Sequence, residues 1–224
     1  MRVAVQINTE RVFALKNVRL FFKKSGALRF VSHLDMNRVM TRLLRLSKVP
    51  VWYTEGFNRH PYITFALPLS LGFESRYEVL DFRLVDEAVS FETVAERLSE
   101  VLPCDIKIIK VDEPVMKVGK ISEAGFGLAF ADENEAQGFY EYLNGGNVVI
   151  SKKTKKSEIK VDEISSRIAE SRIEGNCVSV ILPAGNDNIN PSLIVASYAE
   201  KIGKTVSVSY IRTAVYGENR SLFV

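Results

Sequence analysis

The chain has 224 residues, 46% of them hydrophobic and 25% charged, with a formal net charge of +3. Disorder requires fewer apolar and more like-charged residues, so a packed core is expected, and the length suits two domains of about 100 residues each. No run approaches the roughly 18 to 20 apolar residues that span a bilayer, and charges interrupt "MRVAVQINTERVFALKN" where a signal peptide needs an apolar centre, so a cytoplasmic protein without a membrane partner is expected.

Residues 1–17 read as an amino-terminal extension. "VRLFFKK" (18–24) has the apolar, β-forming content of a strand, and "SGALRF" turns out of it. "SHLD" supplies Ser32 as a helix cap with Asp35 three residues later. The helix that follows, from Leu34 to about Lys48, places Met36, Val39, Met40, Leu43 and Leu46 mainly on one side and stops before Pro50. "VPVWYTEG" suits a short strand, "YITFALPLSLG" an extended segment turning at Gly72, and "RYEVLDFRLVD" an alternating strand. "SFETVAERLSEVLP" repeats the cap signature at Ser90 and Thr93 ahead of a helix, and "DIKIIKVDE" returns to a strand.

That order is β-α-β-β-α-β, the ferredoxin-like unit, over residues 18–113. The Pro- and Gly-containing stretch 114–123 reads as a linker. A second pass over 124–217 gives "FGLAFAD" as strand, "NEAQGFYEYLNGG" as helix stopped by Asn144-Gly145-Gly146, and "NVVISKK" as strand. "VDEISSRIAESRIEG" reads as an inserted helix. "NCVSVILPAG" then forms a strand, "NPSLIVASYAEKIG" a helix from Pro191 to Gly203, and "TVSVSYIRTAVYG" a strand, leaving 218–224 as a tail. The expected fold is α+β, with two tandem ferredoxin-like (βαββαβ) domains built on antiparallel sheets.

The sequence contains no Gly-x-Ser-x-Gly, no Gly-x4-Gly-Lys-Ser/Thr and no His-Glu-x-x-His, which removes the commonest self-contained chemistries. Cys104 and Cys177 stand far apart and no Cys-x-x-Cys exists, so no disulfide framework or thiolate metal site is indicated. "AGFGLAFA" (124–131) is superficially like the aromatic strand of RNA-recognition motifs but lacks the leading basic residue and final aromatic; a glycine-containing core strand is the expectation. "SKKTKK" (151–156) reads as a lysine-rich exposed turn.

Charge is distributed unevenly. Residues 19–62 hold nine Lys/Arg against two Asp/Glu, a net +7, whereas 63–224 carry a net −6. A basic first quarter points to an anionic partner. Inside it, Arg38, Arg42 and Arg45 follow i, i+4, i+7 spacing and form a stripe on one helix face. Directly after that helix, "GFNRHPY" joins Phe57, Asn58, Arg59, His60 and Tyr62. Aromatic rings stack on unpaired bases, Asn and His read base edges, and Arg pairs with phosphate, a mixture suited to single-stranded or looped RNA. The same residues also suit a structural turn, with Gly56 tightening it and Pro61 fixing entry to a buried strand. His33 and His60 have the pKa range for acid–base work on RNA.

"RFVSHLDMNRVMTRLLR" followed by "YTEGFNRHPYITFALPLSLGFESRYEVLD" closely resembles the radical SAM-linked protein family, a domain found beside, or fused to, cobalamin-binding-type radical SAM proteins. The matching residues are Arg29 to Asp35 and Gly56 to Ser75; the second half matches more loosely, through "TKK" and "IRTAVY". The resemblance implies a radical SAM protein as partner, in an RNA or ribosome context. This chain has no Cys-x3-Cys-x2-Cys, so the iron–sulfur cluster and SAM would belong to that partner and no cofactor is expected here.

The expected function is non-catalytic: an RNA-binding accessory protein that presents an RNA or ribosomal substrate to a radical SAM enzyme, with no role for DNA. Arg29, Arg38, Arg42, Arg45, Phe57, Asn58, Arg59, His60 and Tyr62 are its nucleic-acid-binding candidates. Two alternatives stand beside it. One is an RNA-processing or RNA-modifying enzyme using His33 and His60; the other is a protein-only adaptor docking through the surface of residues 56–72.

Overall fold

Each helix begins on a cap that the sequence specifies. Ser32 Oγ accepts the Asp35 amide at 3.1 Å and donates to the Asp35 carboxylate at 2.7 Å at the start of α1 (His33–Leu46). Ser90 accepts the Thr93 amide at 3.1 Å for α2 (Phe91–Ser99), and Asp132 accepts the Glu135 amide at 2.9 Å for α3 (Glu133–Asn144). Asn190 accepts the Ser192 amide at 3.0 Å for α4 (Pro191–Ile202), which ends at Gly203. Each cap satisfies an otherwise orphaned amide and contributes about 1 kcal/mol. The structure, a computed structural model, describes residues 15–153 and 159–224; the extension up to residue 14 and residues 154–158, which include the last three positions of the lysine-rich turn, lie outside the described residues.

The strands are β1 (Lys16–Lys24), β2 (Ile63–Phe65), β3 (Phe73–Leu84), β4 (Ile106–Asp112), β5 (Glu123–Phe130), β6 (Val149–Lys153), β7 (Ile159–Glu163), β8 (Glu170–Glu174), β9 (Cys177–Pro183) and β10 (Val208–Tyr216). One sheet runs β4-β1-β3-β10-β5-β9-β8, with β2 also on β3, and β6-β7 forms a separate hairpin. The α+β class with mostly antiparallel pairing is as expected, and four of the five expected helices form among the described residues. The two sheets expected to stand apart are instead one. β3 is 12 residues long: β1 follows one of its edges, while the other is shared by β2 at Leu80–Phe82 and by β10, in parallel, at Phe73–Ser75. Length is the physical reason, since a strand longer than its hairpin partner leaves backbone groups that must be paired.

The helix expected over "VDEISSRIAESRIEG" is corrected to strands β7 and β8. Glu174 and Cys177 pair directly, so Gly175 and Asn176 form a two-residue hairpin loop into β9, with Gly175 at φ +55°. Such a Gly-Asn loop between β-forming runs is a hairpin signal. The order along the sheet is then β4-β1-β3-β2 in the first half and β10-β5-β9-β8 in the second, with β6-β7 inserted after α3.

Two apolar clusters fill the molecule. The first packs Leu20, Phe22, Leu80, Phe82 and Leu84 of the sheet under Met36, Met40 and Leu44 of α1 and Val94 and Leu98 of α2; Leu44 rather than Leu46 completes the buried stripe of α1, and Leu46 is exposed. The second packs Leu128, Phe130, Val178 and Val180 under Phe139 of α3 and Ile194 and Tyr198 of α4. Ala66, Leu67 and Leu69 of the first half belong to this second cluster, as do Phe21, Val79 and the penultimate residue Phe223. The stretch between β2 and β3 therefore clasps the second half, and Ser70 Oγ accepts from the Asn190 side chain that caps α4.

The segments read as linker and tail are docked on β1. Arg19, 1% exposed, makes a bidentate pair with Asp81 at 2.7 Å and donates to the carbonyls of Met116 and Val224 at 2.8 and 2.9 Å, with its guanidinium over the Phe223 ring at 4.5 Å.

Candidate nucleic-acid interface

α1 buries Met36, Met40, Leu43 and Leu44, which turns Arg38, Arg42 and Arg45 outward. At 1.5 Å rise per residue the three guanidinium stems leave the helix over about 10 Å of its length. They line one groove of about 550 Å³ together with Leu34, Asn37, Thr41, His60 and Ile63. Arg38 is paired with Asp35 at 2.8 Å. Arg42 and Arg45 have no ion pair among the described residues, and Arg45 sits 5.8 Å from the Tyr53 ring centroid.

The loop that closes the groove is held at its neck. The Thr54 amide donates to the His60 carbonyl at 2.9 Å, the His60 amide to Thr54 Oγ1 at 3.3 Å, and Tyr53 bridges Pro61. Gly56 lies at φ +108°, a conformation that side chains with a Cβ avoid, and the turn it permits leaves Phe57 fully exposed. Asn58 and Arg59 are exposed as well, without side-chain partners among the described residues. His60 Nδ1 lies 3.1 Å from the Pro61 carbonyl. A carbonyl only accepts, so Nδ1 carries the proton in the neutral ring and Nε2 is left as an acceptor.

Not every candidate joins this groove. Arg29 lies in the 3-10 turn Gly26–Phe30, 3.7 Å from Glu74 and 4.8 Å from the Phe30 ring, and its carbonyl accepts the Gly72 amide. His33 begins α1; its ring packs edge-on against Phe65 at 5.2 Å and meets the Asn37 amide at 3.2 Å. Burial, foremost, and the Lys24 charge push its pKa down, against the opposing pull of Glu78. The groove thus contains His60 and leaves out His33. Tyr62 stands just before β2 and lines a cleft with Thr64, on the opposite side from Ile63, which lines the groove. Asn37, Thr41 and Leu34 are groove residues that the charge pattern did not single out; their spacing on the arginine face of α1 was the available signal.

Phe126 and Phe130 of "AGFGLAFA" are 6% and 3% exposed, in the core rather than on an open face. Among the described residues no group of three or more His, Cys, Asp or Glu is placed to hold a metal, and no helix is long and apolar enough to cross a membrane.

A family model described as "Uncharacterized protein conserved in bacteria (DUF2344)" matches residues 17–192, which takes in α1, the groove and its loop. The chain belongs to this family. No curated protein matches the DUF2344 chain. Among solved structures it is similar to a chain of "Crystal Structure of a Cbf5-Nop10-Gar1 Complex", at 13% identity and a TM-score of 0.43, covering 90% of this chain and 50% of that one. It thus spans half the length of that relative. A second, from "Crystal Structure of an Unknown Protein from Galdieria sulphuraria", has 8% identity and a TM-score of 0.26 over 88% and 99% of the two chains. Neither likeness is close enough to carry a functional argument for the DUF2344 protein.

Proposed function

We propose that this protein is a non-catalytic RNA-binding accessory protein that takes single-stranded or looped RNA along the α1 groove. The observation that carries this is the convergence of Arg38, Arg42, Arg45 and His60 on one groove beside a loop whose Phe57 is fully exposed. Unpaired guanidinium groups meet phosphates, and an exposed ring offers a stacking face to a splayed base. We read each half, with its shared strand order, as a ferredoxin-like unit, the first carrying the groove and the second bracing it.

In this reading the partner is a radical SAM enzyme, as the sequence resemblance implies, and the RNA or ribosomal substrate is held for its chemistry; cluster and SAM belong to the partner. The enzyme alternative is the second reading: His60 lines the groove, and the His33 ring, packed against Phe65, reaches it only through Asn37. The test is the affinity of a fluorescent single-stranded oligoribonucleotide, measured from low to high salt, for the wild-type and the Arg38→Glu/Arg42→Glu/Arg45→Glu proteins. Loss of affinity and a flatter salt dependence in the variant are expected. Equal affinity at every salt concentration overturns the reading, and co-purification of a protein partner that survives ribonuclease but depends on Phe57 would favour a protein-only adaptor.

A further inference from the structure

Tyr62 turns away from the arginine groove and opens onto a second cleft, of about 580 Å³, on the opposite side of β2. One wall comes from β2 and β3, the other from residues 114–118. A cavity of this size accommodates a small molecule. Of its lining residues, Tyr62 meets the neighbouring Trp52 ring edge-on at 5.5 Å, and the Arg83 guanidinium lies over both rings, 5.1 Å from the Tyr62 centroid and 5.7 Å from that of Trp52.

The polar groups of this cleft divide into two sets. Arg19 and Asp81 are committed to each other at 2.7 Å, and Arg19 also to the Val224 carbonyl, so the pair brings no net charge to the floor. Asn17, Thr64, Arg83 and Lys117 also line the cleft, and none of their side chains makes a hydrogen bond or ion pair among the described residues. Among the described residues the site therefore holds two cations without an acidic partner, an amide and a hydroxyl that can each donate and accept, and a layer of aromatic and guanidinium faces. A planar heterocycle bearing an anionic group answers all three.

We propose that this cleft binds a nucleotide. The base stacks on the Tyr62–Arg83 layer, Asn17 and Thr64 meet its polar edge, and Lys117 with Arg83 neutralises the phosphate. The ligand is either a free mononucleotide or an unpaired nucleotide of an RNA, which share this chemistry. The site stands independently of the α1 groove, which β2 separates from it.

Trp52 is the chain's single tryptophan, so its emission reports on this cleft. The full-length protein is titrated with adenosine monophosphate and, separately, with a single-stranded oligoribonucleotide. A saturable change with the mononucleotide is expected, weakened about tenfold by Lys117→Glu, as loss of one charge-assisted contact implies, and unaltered in the Arg38/Arg42/Arg45 triple glutamate variant. A response to the oligonucleotide alone that is lost in Lys117→Glu and kept in the triple variant assigns the nucleotide to RNA. Absence of a saturable response to both ligands overturns the proposal. So does a response left unchanged by both Lys117→Glu and Asn17→Ala, or one lost only in the triple variant.

Discussion

Glu78 and Arg212, 134 residues apart in the chain, meet at 2.5 Å across the β3–β10 seam with side chains only 3% and 2% exposed. Lys24, buried nearby, feels the Glu78 charge but forms no ion pair with it among the described residues, and burial pushes its pKa down. Removing one member of a buried pair leaves an uncompensated charge. Arg212→Met is expected to cost about 3–5 kcal/mol in denaturant unfolding. The double Glu78→Met/Arg212→Met variant is expected to recover most of that loss, because the pair's own net contribution is small. A single-variant cost below about 1 kcal/mol would contradict this account of the seam.

The carboxyl-terminal residues should behave as core. Phe223 is fully buried, its carbonyl accepts from Tyr77 Oη at 2.9 Å, and the next carbonyl, of Val224, takes the Met116 amide at 2.7 Å. Phe223→Ala is expected to lower stability by about 3–5 kcal/mol. Thermal melts of the full chain check this; an unchanged melting temperature would rule it out.

The groove arginines should contribute unequally to RNA binding. Arg38 is already paired with Asp35, whereas Arg42 has no acidic partner among the described residues. Arg42→Gln is therefore expected to reduce the slope of log affinity against log salt by about 0.7, the value for one single-strand phosphate contact. Arg38→Gln should reduce it by less.

Phe57→Ala separates binding from folding. The ring is fully exposed, so its loss should leave the melting temperature unchanged while weakening oligoribonucleotide binding by about 1–3 kcal/mol. Equal binding by the variant would remove Phe57 from the interface.

His33 supplies a pH dependence. Its folded pKa is lowered, chiefly by burial, so between that value and the ordinary 6.5 the unfolded chain binds more protons than the native one. Stability should fall as pH drops below about 6.5 and level off beneath the folded pKa. The carboxylates held low by hydrogen bonds, Asp35 and Glu92 among them, lose their contribution only at more acidic pH. Melting curves from pH 7.5 to 5.0 are expected to be flatter for His33→Gln than for the wild type; identical slopes would show that the ring titrates normally.

Local chemistry was legible in the sequence wherever it acts within a few residues. Ser32 with Asp35, Ser90 with Thr93, and Pro191 with Gly203 fix three of the helices, and the arginine spacing on α1 gives the groove one wall. Longer-range features were not legible, because they depend on partners far apart in the chain. Nothing near Glu78 announces Arg212, and nothing in Phe73–Ser75 tells that β10 will pair beside it. Two misses had local remedies. Gly175-Asn176 carried a hairpin signal that outweighs the helical spacing before it, and strict alternation through Tyr62, Ile63 and Thr64 already sends Tyr62 to the opposite face from Ile63.

The shared edge of β3 also sets an order of events during synthesis. Every strand of the first half has been made once Asp112 emerges, yet the edge at Phe73–Ser75 waits for β10, and Glu78 waits for Arg212, about 100 residues later. Until then the nascent first half carries an open strand edge and an unneutralised carboxylate on the side that will become its interior. The last strand, β10, slots between β3 and β5, so a fragment ending near residue 113 would lack the partner that closes that edge.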